Sequence, residues 1–256
     1  MAMIGGLTGL GAQVMFAPML IWMLGYADDK AQGTAMCFAA WTAFAAIAGA
    51  YIVGAMPPAF ILYGLLLATG AIIGAILTAG LAAKLKGTNS RRTSQSIGIM
   101  LTLAVIVQVA HSSTMFAGRP NLTEWNSPLA ILMIGTVVGA CTQLLGLTSG
   151  ALLVPALYFF SGLKNADGNH AVPAVILSIM VIAIASLLPA LAYARRGLVD
   201  GVYRTPIITA GLIGGFGGGL LSGRLTEHAV IIASAVIAMF LCARELSRLV
   251  FSTKSE

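Results

Sequence analysis

Gly9-Leu-Gly-Ala-Gln-Val-Met-Phe-Ala-Pro18 recurs, blurred, at Gly146-Leu-Thr-Ser-Gly-Ala-Leu-Leu-Val-Pro155. Each copy sets a cluster of small residues inside an apolar segment, with a proline at the same distance behind the first glycine. Glycine and proline weaken a helix and free backbone N–H and C=O groups that hydrocarbon cannot satisfy. Those groups must face protein or a wet cavity. Two matched breaks in the two halves of a membrane protein are the sequence pattern of a transporter's binding site.

The rest of the chain suits a membrane. It is 59% hydrophobic and 9% charged, with a mean hydropathy of +0.95, far from the soluble norm. Met1 runs straight into apolar residues without a basic n-region, so no cleavable signal peptide is expected. The net charge is +6, but the basic residues sit at the ends of apolar segments, as orientation signals do. The expected surroundings are therefore a lipid bilayer and no nucleic acid. Cys37, Cys141 and Cys242 lie in apolar stretches, odd in number and without a CxxC pair. They read as buried packing residues, with no disulfide framework, metal site or cofactor implied.

A spanning helix needs about 20 apolar residues, and segments of that kind lie at 2–24, 33–54, 58–83, 96–117, 128–163, 171–194, 203–223 and 228–243. The fifth is longer than one crossing requires and carries the second break. The repeat extends past the breaks: Gly25 matches Gly162, Lys30-Ala31 matches His170-Ala171, Tyr51 and Gly54 match Tyr193 and Gly197, and Gly74 matches Gly214. The expected fold is an all-α polytopic membrane protein of two repeats, each of about four helical segments with a broken or re-entrant first one. The first repeat covers 1–118, trimmed at its amino end relative to the second; 119–127 links it to the second at 128–256.

Charge decides the relative orientation of the repeats. If every segment crosses once, the fourteen Lys and Arg divide seven to seven between the two sides. If segment 128–163 enters and returns, the division is eleven to three, with Arg119, Lys164 and Arg224 on the poor side. The positive-inside tendency selects the second arrangement. It makes the repeats inverted and places the C-terminus in the cytoplasm.

Gly9-Leu-Gly-Ala-Gln with Pro18, the following Lys30-Ala-Gln-Gly-Thr34 and the degenerate second copy resemble the sulfite exporter TauE/SafE family of anion permeases. The resemblance covers nearly the whole chain. It implies a multi-pass protein of a prokaryotic plasma (inner) membrane that moves sulfite, organosulfonates or related organosulfur anions. The signature departs from the family pattern at Ala12 and Gln13, where glycines are usual, at Thr148-Ser149-Gly150, at Ala35 and at Val172-Pro173. These departures bear on which anion is carried.

The residues themselves suit a small anionic substrate. Backbone N–H groups at a helix N-terminus form an anion site, and small residues let an oxyanion come close to them. The candidate substrate-binding residues are Gly9, Gly11, Thr148, Ser149 and Gly150, with Gln13 and Gln143 as amide donors and Thr34 at the start of the next helix. His170, aligned with Lys30, is a candidate to hold a positive charge near the anion's path or to act as a pH-sensitive group, the alternative being a plain interfacial residue. The spans contain almost no ionisable side chain, so no mid-membrane proton relay has a candidate. The bland alternative for each glycine is helix packing. A passive anion channel would use the same neutral site. An intramembrane serine hydrolase built on Ser149 would need a base in reach, whereas His111, His170 and His228 all fall near segment ends. Direction, coupling ion and homodimer formation stay open at this level.

Overall fold

A computed structural model describes residues 1–84, 127–145, 149–160, 171–199, 201, 204–224 and positions 229, 232, 233, 236 and 239. Among the described residues the regular structure is helical throughout: α1 (Ala2–Thr8), α2 (Gln13–Leu24), α3 (Asp28–Ile52), α4 (Pro58–Lys84), α5 (Pro128–Leu145), α6 (Ser149–Phe160), α7 (Ala171–Arg195) and α8 (Arg204–Ser222). Four stretches in α3, α4, α7 and α8 are long and apolar enough to cross a membrane. The chain is an all-α multi-pass membrane protein. The expected segments at 96–117 and 228–243 fall outside the described residues, apart from the isolated positions above.

The first of the two segments that carry the repeated motif is divided. With 7 and 12 residues, α1 and α2 are about 10 and 18 Å long, short of the roughly 30 Å of hydrocarbon. The chain turns back between them, so closely that a Cβ on Gly5 would lie 2.8–2.9 Å from the backbone and Cβ of Ala12. Gly9 and Gly11 make that turn at φ +67° and +88°, where an L side chain costs about 1–2 kcal/mol. On the return, Phe16 of α2 stacks on Phe38 of α3, ring centroids 4.2 Å apart. In the second half α5 and α6 lie on either side of 146–148.

The third helix begins at Asp28 rather than near residue 33. Hydropathy marks where a helix becomes apolar, not where it starts. Acidic residues in a first turn complement the N-terminal end of the helix dipole, so Asp28 and Asp29 extend the helix out of the apolar zone.

Burial separates inner from outer helices. The apolar windows of α7 and α3 are 71% and 56% buried, against 39% for α4 and 28% for α8. From Val172 to Ala183 every residue of α7 is buried, and α3 offers a face of alanines, including Ala31, Ala35, Ala39, Ala43 and Ala46. The outer helices turn Leu62, Leu65, Ile76, Leu77, Ile213 and Phe216 outward, a surface that lipid accepts and water would not. Cys37 and Cys141 are half-buried, outside any disulfide among the described residues, rather than core residues.

Lipid gives apolar helices no reason to associate through bulk, so close backbone approach does the work. Helix α4 runs along α5, with Gly70 and Gly74 against the backbone from Leu132 to Ala140 and Gly139 against Ala71. Helix α8 meets α1 the same way, Gly214 and Gly218 lying on Ala2, Met3, Gly6 and Leu7. It also meets α3, where Gly215 and Gly219 press on Thr42 and Ala46.

These contacts can be set beside the alignment read from the sequence. A Cβ on Gly74 would be 2.8 Å from the nitrogen of Ala140, and one on Gly214 would be 3.1 Å from that of Met3. Gly74 and Gly214 are repeat partners, and Met3 and Ala140 stand 137 apart, as Gly9 and Gly146 do. The inner helices end alike. Ala55 N–H donates to Ala50 O and Leu198 N–H to Tyr193 O, both at 3.0 Å, around left-handed Gly54 and Gly197. The shared cap aligns Tyr193 with Ala50, one residue off the Tyr51–Tyr193 match read from the sequence. At the other end of α3, a Cβ on Gly33 would sit 2.8 Å from Leu198 O and 3.0 Å from the Cβ of Tyr193. The start of α3 thus lies against the end of α7, and the two inner helices run in opposite directions.

Candidate functional site

The turn between α1 and α2 sits against the first turn of α6. A Cβ on Gly150 would collide with the Gly9 carbonyl oxygen and lie 2.9 Å from the carbonyl carbon of Leu10. Gly9 also abuts α7, where a Cβ would be 3.0 Å from Val175 O and 3.1 Å from Val175 Cα, and that Cβ would lie 3.2 Å from Val154 Cγ2 of α6. The two Gly-rich motifs, 141 residues apart at Gly9 and Gly150, therefore meet in backbone contact, flanked by the most buried helix. Leu153, Leu157, Val175 and Ile179 close the surroundings, each at most 2% exposed.

Hydrogen-bonding capacity at this point is unequal. At the end of α1, Gly9 N–H donates to Gly5 O at 3.1 Å, and the Thr8 hydroxyl donates to Ile4 O at 2.8 Å. The Gly9 carbonyl accepts from Ser178 Oγ of α7 at 2.5 Å. The first N–H groups of α2 have no acceptor within their own helix, and the helix directs the positive end of its dipole toward that start.

Gln13 opens α2, and its buried Oε1 lacks a hydrogen-bond partner among the described residues. A buried amide oxygen without a donor is costly. Turning the amide over places Nε2 at the same spot, so this position can meet an incoming acceptor. Gly11 lies in the same turn. Ser149 and Gly150 are the first described residues of α6. Thr34 is buried in α3, six residues in from its start rather than at it, because the helix begins at Asp28. Gln143 belongs to the last turn of α5. Thr148 and His170 fall outside the described residues.

The structure thus brings Gly9, Gly11 and Gln13 to one short turn and places Gly150 on it. Lys30 is elsewhere, in the first turn of α3, with Nζ 4.7 Å from the centre of the Tyr26 ring. Ser178 was missed by the sequence reading. It is one hydroxyl in a long apolar segment, 0% exposed, with no motif around it.

Two proteins named "Probable membrane transporter protein", from Xylella fastidiosa strains 9a5c and Temecula1, are each 24% identical to this chain over 225 residues. The matched region covers 86% of this chain and 80% of each relative. The similarity runs through both halves. No protein-family model matches the chain, and no solved structure does.

Proposed function

We propose that the protein is a membrane transporter of small oxyanions, sulfite or organosulfonates above all, whose substrate binds where the two repeated motifs meet. The observation that carries this reading is the contact of Gly150 with the Gly9–Leu10 backbone. It supports a ligand position bounded by Gly9, Gly11, Gln13, Thr148, Ser149 and Gly150, beside the N-terminus of α2 and free of carboxylates. The transporter role is supported by the named relatives; the sulfur-oxyanion class rests on the resemblance of the Gly9–Pro18 and Lys30–Thr34 motifs. Thr34, Gln143 and His170 complete the proposed path.

The halves 1–118 and 128–256, joined by 119–127, act in this reading as inverted repeats. Helices α3 and α7 are repeat partners that run antiparallel, as partners do across an axis lying in the membrane plane. An axis along the membrane normal would keep them parallel. Alternating access follows as movement of one half against the other around the shared site. The C-terminus and 84–94 lie on the cytoplasmic side of a prokaryotic plasma membrane, by the eleven-to-three division of basic residues. Single cysteines at Ser90 and Ser252 should stay unlabelled by an impermeant maleimide on intact cells. Labelling at both positions would overturn the orientation.

The decisive experiment is uptake into liposomes holding purified protein, with sulfite, sulfate, thiosulfate, sulfonates and carboxylates in competition. Saturable uptake with sulfite or a sulfonate as the best competitor is expected. Preference for carboxylates overturns the substrate class, and uptake linear in concentration indicates a channel. Ser149→Ala removes one donor among several and should weaken binding by about 0.5–1.5 kcal/mol, or about 1.5–3 if the hydroxyl meets a charged oxygen. Loss of all activity in folded Ser149→Ala would point to a hydrolase instead. Lys30→Ala and His170→Ala should alter the rate of entry and its salt dependence more than affinity.

A further inference from the structure

Six threonine hydroxyls in this bundle share one habit. Thr8, Thr69, Thr78, Thr136, Thr142 and Thr209 each donate to the carbonyl four residues earlier in their own helix. That local bond is the default for a hydroxyl that water cannot reach. Ser178 departs from it. Its Oγ–H crosses from the middle of α7 to Gly9 O, 169 residues away in sequence, at 2.5 Å and in full burial. The acceptor it reaches is the carbonyl of the left-handed residue at which the first segment turns back. The same carbonyl lies under Gly150 at the start of α6.

We propose that Ser178 is a charge-selectivity residue of the site: by occupying the Gly9 carbonyl, it withdraws that acceptor from a turn whose N–H donors meet the ligand, so that anions are favoured in proportion to their charge. The inference deepens the oxyanion reading above and rests on it. A broken segment exposes both kinds of backbone group, the acceptors at the end of its first half and the donors at the start of its second. An anion needs only the donors, and a carbonyl dipole aimed at it would repel it. Around this turn Ile4 O, Gly5 O and Gly9 O are engaged by Thr8, Gly9 N–H and Ser178 in turn. Two of those bonds are made within α1. The third depends on α7, and Ser178 supplies it. The residues 140 and 143 positions earlier in the first half are Phe38 and Ala35, and neither carries a hydroxyl.

The test is binding of sulfate, a dianion, and methanesulfonate, a monoanion, to purified wild type, Ser178→Ala and Ser178→Thr in lipid nanodiscs. Ser178→Ala frees the Gly9 carbonyl. It should raise the dissociation constant for sulfate about tenfold and that for methanesulfonate about threefold, because the repulsion scales with ligand charge. Ser178→Thr keeps the hydroxyl and should restore both values. If Ser178→Ala does not fold, Ser178→Cys takes its place, since a thiol is of similar size and a weak donor; the same charge-graded loss is expected. Equal losses for the two anions, or none, overturn the role of Ser178 while leaving the oxyanion site standing. A wild-type protein that binds neither anion overturns the site and Ser178's role with it.

Discussion

Gly150→Val is expected to abolish transport. The side chain has nowhere to go: its Cβ alone would strike the Gly9 carbonyl oxygen and lie 2.7 Å from Ile182 Cδ1. The isoleucine tip can rotate away. The Gly9–Leu10 backbone cannot, because Gly9 is also held by Val175 and through its oxygen by Ser178. Room for valine must therefore come from opening the turn, which removes the contact between the two motifs. Overpacking of a tight interior costs about 1–3 kcal/mol and more when backbone must move, so a lower melting temperature should accompany the loss. Uptake should fall by at least about tenfold, with Gly150→Ala in between. Liposome flux and thermal melting of the same preparations check it. Wild-type flux from folded Gly150→Val would show that the two motifs need not touch for transport.

The two short motifs announced most of this architecture, for a physical reason. A break inside hydrocarbon cannot be hidden by composition, because every other residue of a span must be apolar. Gly9, Gly11 and Pro18 therefore stand out, and their echo at Gly146–Pro155 stands out with them. The packing partners of the glycines were less legible. Gly74 and Gly214 could be aligned from sequence, but that they rest on Ala140 and Met3 follows from which helices become neighbours. Periodicity is nearly silent when a helix is apolar on every side, as α7 is from Val172 to Ala183. The start of α3 was missed because the polar Asp28-Asp29-Lys30 breaks hydropathy without breaking the helix. Ser178 was invisible for a different reason. A serine that bonds across 169 residues looks, in sequence, like one that bonds four residues back.

Gly74→Val should destabilise the folded protein more than any equivalent change on the lipid-facing side, and Gly217→Val supplies the comparison. At Gly74 a Cβ would collide with Thr136 O and stand 2.8 Å from the nitrogen of Ala140, both backbone atoms of α5. The two helices would have to separate along a contact that extends through Gly70, Gly135 and Gly139. In a membrane that loss is not recovered by burying the new methyl groups, since lipid is as apolar as the interface. A cost of about 3 kcal/mol or more is expected, at the upper end of overpacking penalties. Gly214→Val should cost less. Its nearest obstacle is the methyl of Ala2, at 2.6 Å, in the short seven-residue α1, rather than a carbonyl oxygen of a long helix. At Gly217 nothing among the described residues lies within 4 Å, so valine there should change stability by no more than about 0.5 kcal/mol. Unfolding in mixed detergent micelles, followed by far-UV circular dichroism, ranks the three variants. The expected order of loss is Gly74→Val, then Gly214→Val, then Gly217→Val. Equal stability of the Gly74 and Gly217 variants would mean that α4 and α5 are held together by something other than their close backbone approach.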